Sequence, residues 1–75
     1  MSRLPSLTPR QVIAALERAG FVHVRTKGSH YGFQHRGDAR RLVIVPYHTR
    51  DLPRGTLREI IKQAGLTVEA FLELL

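Results

Sequence analysis

The spacing of apolar positions changes period along the chain, and the changes divide it into elements. Val12, Ile13, Leu16 and Ala19 recur at helical spacing behind Thr8-Pro9-Arg10-Gln11. Thr8 suits an N-cap, Pro9 has its φ preset for the first helical position, and Gln11 stands where a capping box needs its partner. Gly20 fits the C′ position, so the pattern predicts an amphipathic helix over residues 9–19. Phe21 to Thr26 is rich in β-formers and alternates as a strand does, and Lys27-Gly28-Ser29 reads as a tight turn. Tyr31 to His35 alternates large and polar residues, Arg36-Gly37-Asp38 reads as a second turn, and Leu42 to Val45 forms an apolar third strand stopped by Pro46.

A polar loop follows from Tyr47 to Asp51. A second helix is predicted from near Pro53, with Leu57, Ile60, Ile61 and Ala64 at helical spacing and Gly65 at its end. Thr67 suits the cap of a last short helix carrying Val68, Phe71, Leu72 and Leu75. No repeat, linker or low-complexity stretch interrupts this order. The pattern is α-β-β-β-α with a short C-terminal helix, an α+β fold filling residues 1–75 as one domain. Short turns between the strands predict an antiparallel meander, with both main helices on one face. Leu16, Tyr31, Phe33, Ile44, Leu57, Ile60 and Ile61 are the residues expected to be mostly buried. A 75-residue chain hides only about 60% of its unfolded surface, so this core is thin.

Several classes of protein fall away on composition. The longest run of branched aliphatic residues is Leu42-Val43-Ile44-Val45, far short of the ~20 apolar residues of a membrane span. The start, Met-Ser-Arg-Leu-Pro, lacks the apolar stretch of a secretory signal, and a cytoplasmic location is expected. Without cysteine there is no disulfide, no thiolate nucleophile and no cysteine-ligated zinc.

Charge adds a direction. Twelve Lys+Arg stand against six Asp+Glu, and ten of the twelve are arginine, whose planar fork matches phosphate. Residues 1–58 hold eleven basic and three acidic side chains, a net of +8, whereas residues 59–75 hold Lys62 against Glu59, Glu69 and Glu73, a net of −2. Such a basic body points to a polyanion, most simply nucleic acid. A helix-turn-helix over Leu57 to Leu74 is disfavoured, because its second helix carries acids and no base and would be repelled by DNA. That segment reads as core closure or a protein-binding surface.

The chemistry available is narrow. Asp38 and Asp51 are far apart and each stands beside arginine, which leaves no carboxylate pair. His30, His35 and His48, with or without Asp51, match no compact metal-ligand spacing, so no metal is expected. Ser29 and His30 are neighbours on a strand and point to opposite faces, which disfavours a serine nucleophile activated by that histidine. His30 is better placed. If Tyr31 and Phe33 face the core, His30 faces solvent, just after Gly28 and near Arg25 and Lys27. Glycine there would let a phosphate approach the backbone. An imidazole among phosphate-binding cations can take a proton from a ribose 2′-OH or give one to a leaving oxygen. RNA carries its own nucleophile, so this reaction requires no cofactor. The residues alone equally allow His30 merely to hydrogen-bond a phosphate. His23 reads as a structural or edge residue and His35 as one that reaches the rim. His48 stands in a loop where it would support the site or simply be exposed.

These residues carry a family resemblance. The first helix, Gly20-Phe21, Arg25-Thr-Lys-Gly-Ser-His30 with Phe33, Val45-Pro46 and His48 resemble the HicA family of mRNA-interferase toxins from toxin–antitoxin pairs. The similarity continues through Gly55-Thr56-Leu57, Ile60-Ile61, Gln63-Ala-Gly65 and Phe71, and spans residues 8–75. It implies a fold like that of a double-stranded-RNA-binding domain, translation-independent cleavage of RNA, and a catalytic role for His30. It also implies a HicB-type antitoxin protein that binds the toxin and covers the His30 face. Arg25, Lys27, Gly28 and Ser29 are then the expected RNA-binding residues, with His48 and Tyr31 as possible supports. A non-catalytic RNA-binding module of the same fold is the alternative.

Overall fold

Thr8 starts the first helix with the capping box its spacing predicts. Its hydroxyl accepts from the Gln11 amide at 3.3 Å, and its own amide donates to Gln11 Oε1 at 2.9 Å. Such a cap stabilises a helix by about 1 kcal/mol. In order, the elements are α1 Pro9–Arg18, β1 Phe21–Lys27, β2 His30–His35, β3 Leu42–Pro46, α2 Arg54–Gln63 and α3 Val68–Leu72. This computed structural model describes residues 3–75. Met1 and Ser2, part of the expected domain and of the N-terminal reading, lie outside the described residues.

The three strands form one antiparallel sheet in the order β1-β2-β3. Gly28 and Ser29 make the first hairpin. Gly28 takes φ 58° and Ser29 stays at negative φ, the signature of a turn with glycine at its first central position. The link from β2 to β3 spans residues 36–41, longer than the predicted Arg36–Asp38 turn. It is closed by Arg41 N–H donating to the Asp38 carbonyl at 3.0 Å.

Both main helices cover one face, as the pattern predicted. Val12, Leu16, Leu57, Ile60 and Ile61 meet Phe21, Phe33, Val43 and Val45 in one core. Two burial expectations need correction. Ile44 is half-buried on the opposite face, because Phe33 pairs with Val43 and Tyr31 with Val45. These pairings put Val43 and Val45 in the core, and an unbroken apolar run contains no alternation to reveal that choice. Tyr31 is also half-buried, packed at the margin of the core with its ring stacked on Tyr47 at 4.8 Å.

Three core residues escaped the periodic reading. Leu4, Leu7 and Leu52 are buried although they lie outside every helix and strand. The Leu52 amide donates to the Leu7 carbonyl at 2.7 Å, which lashes the N-terminal segment to the loop before α2. Arg54 donates to the Leu4 carbonyl at 3.1 Å, holding the same strap at a second point.

Several arginines serve the fold. Arg41 donates through Nε and a terminal nitrogen to the Ala64 carbonyl at 2.9 and 2.6 Å, closing the end of α2. Its guanidinium also lies 5.4 Å from the centre of the Phe21 ring. Arg18 donates to the Leu74 carbonyl at 2.6 Å. Phe71 of α3 is fully buried, so the C-terminal segment closes the core. Among the described residues no helix is long and apolar enough to cross a membrane.

Candidate active site

A β-bulge in β1 decides which cations meet His30. Phe21 pairs with His35 and His23 with Phe33, so Phe21 and His23 share the helix-covered face. The register then shifts between His23 and Arg25, and Arg25 pairs with Gly32 and Lys27 with His30. Side chains alternate along a strand, so without that extra residue Arg25 and Lys27 would fall on the face of Phe21 and His23. The bulge turns them to the open face, where His30 already points.

Arg25, Lys27, His30, Gly32 and Ile44 line one open hollow of about 290 Å³. Arg25, Lys27 and His30 are exposed, and their side chains form no hydrogen bond or ion pair among the described residues. Three potential phosphate ligands therefore converge without internal partners. Gly32 makes this possible. A Cβ there would stand 3.1 Å from Arg25 Cγ, so its absence lets the arginine lie across the central strand. Neither Gly32 nor Ile44 was expected at the site from the sequence, where Ile44 was placed in the core. The available signal was an isolated glycine inside a strand pattern, which marks a close approach.

The other expected site residues distribute differently. Gly28 and Ser29 form the hairpin tip beside His30, and a Cβ on Gly28 would meet nothing within 4 Å. Its positive φ therefore accounts for glycine at this position. The Ser29 carbonyl accepts from the Tyr47 amide at 2.6 Å. Tyr31 faces the helix side and does not line the hollow. His48 lines a separate hollow of about 260 Å³ with Thr8, Arg10, Tyr47 and Thr49.

The remaining histidines are held by structural contacts. His35 accepts the Gly37 amide at Nδ1 at 3.0 Å, which leaves Nε2 to donate to the Ala19 carbonyl at 3.1 Å. Both ring nitrogens are thereby occupied and one neutral tautomer is selected. His23 Nε2 lies 2.7 Å from Thr26 Oγ1, and its ring contacts those of Tyr31 and Phe33. No three His, Asp or Glu side chains group as a metal site among the described residues.

Away from the hollow, Arg40 holds the Asp38 carboxyl below its ordinary pKa through its side chain at 3.1 Å and its backbone amide. That pair ties a basic residue into the β2–β3 link, whereas the cations around His30 stay free for a ligand.

Residues 9–66 match the family model described as "HicA toxin of bacterial toxin-antitoxin". No curated protein matches the chain. The matched span takes in α1, all three strands, α2 and every residue lining the His30 hollow. By that match, over well more than half its length and across the whole sheet that carries the site, the chain belongs to the HicA family of toxins from bacterial toxin–antitoxin systems.

Proposed function

We propose that this protein is a metal-independent endoribonuclease acting on mRNA in the cytoplasm, with His30 as its proton-transfer group. One observation carries the reading: Arg25, Lys27 and His30 line a single solvent-open hollow and none is engaged inside the chain. Family membership agrees, because the HicA resemblance implies RNA cleavage.

The chemistry follows from those side chains. His30 takes the proton of a ribose 2′-OH, and the 2′-oxygen bonds to the phosphorus of its own 3′-phosphate. The bond from phosphorus to the 5′-oxygen of the next nucleotide breaks. Lys27, which shares the hollow, returns a proton to that oxygen. Arg25 and Lys27 stabilise the charge that grows on the phosphoryl oxygens. The products are a 2′,3′-cyclic phosphate and a 5′-hydroxyl. Gly28 and Ser29 offer backbone at the hairpin tip to a neighbouring phosphate.

One observation favours the second reading, a non-catalytic RNA-binding module. The His30 ring has no hydrogen-bonding partner to orient it among the described residues, whereas catalytic bases are usually aimed by a third group. In the catalytic reading, the bound phosphate itself supplies that orientation.

The deciding experiment is cleavage of a defined mRNA by purified protein in EDTA, beside a folded His30→Ala variant. Loss of roughly 10²–10⁴-fold in rate with the variant, and cyclic-phosphate ends with the parent, are expected. Undiminished cleavage by His30→Ala would overturn the assignment, as would activity that EDTA abolishes and a divalent metal restores.

The same reading assigns silencing to an acidic HicB-type antitoxin that covers the His30 face by charge complementarity. A complex that left His30 open and cleavage unchanged would contradict it.

A further inference from the structure

The hollow around His48 lies one short step of chain from the His30 hollow. His30 pairs with Pro46 at the end of β3, and the backbone then runs through Tyr47 to His48. A cross-strand pair plus two residues of chain keeps the α-carbons of His30 and His48 within roughly 13 Å of each other. The step is pinned, because the Tyr47 amide donates to the Ser29 carbonyl at 2.6 Å. Neither hollow therefore drifts far from the other.

The lining of the second hollow suits a nucleotide. Arg10 and His48 are exposed and their side chains have no internal hydrogen bond or ion pair among the described residues. Tyr47 is held in place by its ring stack on Tyr31 at 4.8 Å and presents a fixed aromatic surface. Thr8 and Thr49 complete the wall. An arginine for phosphate and rings for a base are the two elements that bind single-stranded nucleic acid.

Size points the same way. At about 290 and 260 Å³, each hollow lies just below the ~300–1,000 Å³ of pockets that enclose a whole small molecule. Two small, open hollows a short way apart, one on the open face of the sheet and one beside the start of α1, fit a polymer that places a different unit in each.

We propose that the hollow of Thr8, Arg10, Tyr47, His48 and Thr49 is a nucleotide subsite for single-stranded RNA flanking the scissile phosphate at His30. It rests on the ribonuclease reading above. Arg10 binds a backbone phosphate, and Tyr47 and His48 contact the base and set the preference at that position. His48 then acts in binding and does not transfer a proton.

The test compares Arg10→Ala, His48→Ala and Tyr47→Leu with Arg58→Ala, an exposed helix cation outside both hollows. Two readouts are taken: steady-state cleavage with the distribution of cut sites along a long mRNA, and affinity for a short single-stranded RNA in which 2′-deoxy nucleotides block cleavage. The subsite variants are expected to raise KM and weaken that affinity about tenfold, within the range for loss of a base-stacking side chain. All three should keep kcat; Tyr47→Leu and His48→Ala should flatten the nucleotide preference at one fixed distance from the cut, whereas Arg10→Ala and Arg58→Ala should change no preference. Unchanged KM, affinity and preference would overturn the subsite even if His30→Ala abolished cleavage. A fall in kcat alone with His48→Ala would also overturn it and return His48 to the chemistry. If the parent protein binds but does not cleave RNA, the ribonuclease reading fails. The affinity arm then decides the subsite, with a loss beyond that of Arg58→Ala supporting it and an equal loss refuting it.

Discussion

Arg25 lies across Gly32, and the two residues are cross-strand partners on the open face of the sheet. A Cβ on Gly32 would stand 3.1 Å from Arg25 Cγ, 3.5 Å from Arg25 Nε and 3.5 Å from Ile44 Cδ1. The site is therefore built around a missing side chain in its central strand.

Replacing that glycine separates stability from activity. The Arg25 side chain is exposed and can swing aside, while alanine removes the entropic cost of glycine within a strand, about 0.5–1 kcal/mol. Gly32→Ala should keep or slightly raise the melting temperature. Displacing the guanidinium should lower kcat/KM, by up to roughly 10²-fold for a misplacement near 1 Å. In an Arg25→Ala background the same substitution should have little further effect. A full, additive loss in the double variant would show that Gly32 acts otherwise.

The two classes of arginine predict different salt behaviour. Arg25→Ala and Lys27→Ala should each reduce the log–log salt slope of RNA binding by about 0.7, the value per phosphate on single strands. Arg41→Ala should leave the slope almost unchanged, since that guanidinium is bonded to the Ala64 carbonyl. It should instead destabilise the fold by about 1.5–3 kcal/mol, as loss of charged hydrogen bonds does. Binding titrations at several salt concentrations, with thermal melts, read both effects.

His30 and His35 lie on one strand and should respond oppositely to substitution. His35→Ala removes the bonds to Ala19 and Gly37 and the edge contact with Phe21 at 5.1 Å. A cost of roughly 1–3 kcal/mol is expected from the unpaired groups, or about 4–8 °C in melting temperature per kcal/mol. His30→Ala, exposed and unpartnered, should melt with the parent. Equal melting of the two variants would contradict the structural role of His35.

Asp38 supplies a pH dependence with a defined sign. Its folded pKa is depressed, first by the Arg40 side chain and then by the Arg40 amide. The ionised carboxylate therefore supports the β2–β3 link above the ordinary carboxylate range, and that support is lost as pH falls through the folded value. An NMR titration should give Asp38 a midpoint below that of an unperturbed aspartate, with the Arg40 amide shifting in step. Arg40→Ala should move the midpoint upward; an unmoved midpoint would rule out the Arg40 side chain as the main cause.

Much of this molecule was legible in its sequence because the controlling signals are local. Thr8, Pro9 and Gln11 start a helix with their own atoms, and Gly28-Ser29 makes a hairpin with its own backbone. The alternation of Tyr31 and Phe33 placed His30 on the open face without any knowledge of the helices. The excess of arginine led to the expectation of a polyanion ligand, and the residues quoted from the first helix to Gly65 carried the family resemblance within the matched span of residues 9–66, whereas Phe71 lies beyond it.

What remained depended on pairings between distant segments. The run Leu42 to Val45 has no alternation, so only its register against β2 made Val43 and Val45 core and left Ile44 beside His30. Leu4, Leu7 and Leu52 entered the core through a strap held by hydrogen bonds between loops, which leave no periodic trace. Arg41 and Arg18 look like Arg25 in the sequence, and only carbonyls 23 and 56 residues away divert them from solvent. The bulge at Val24 decided most for the site. Plain alternation would have put Arg25 and Lys27 with Phe21 and His23, and one extra residue in β1 turned both to His30. A strand's own residues set its period, but its neighbour sets its register, and register decides which face each charge occupies.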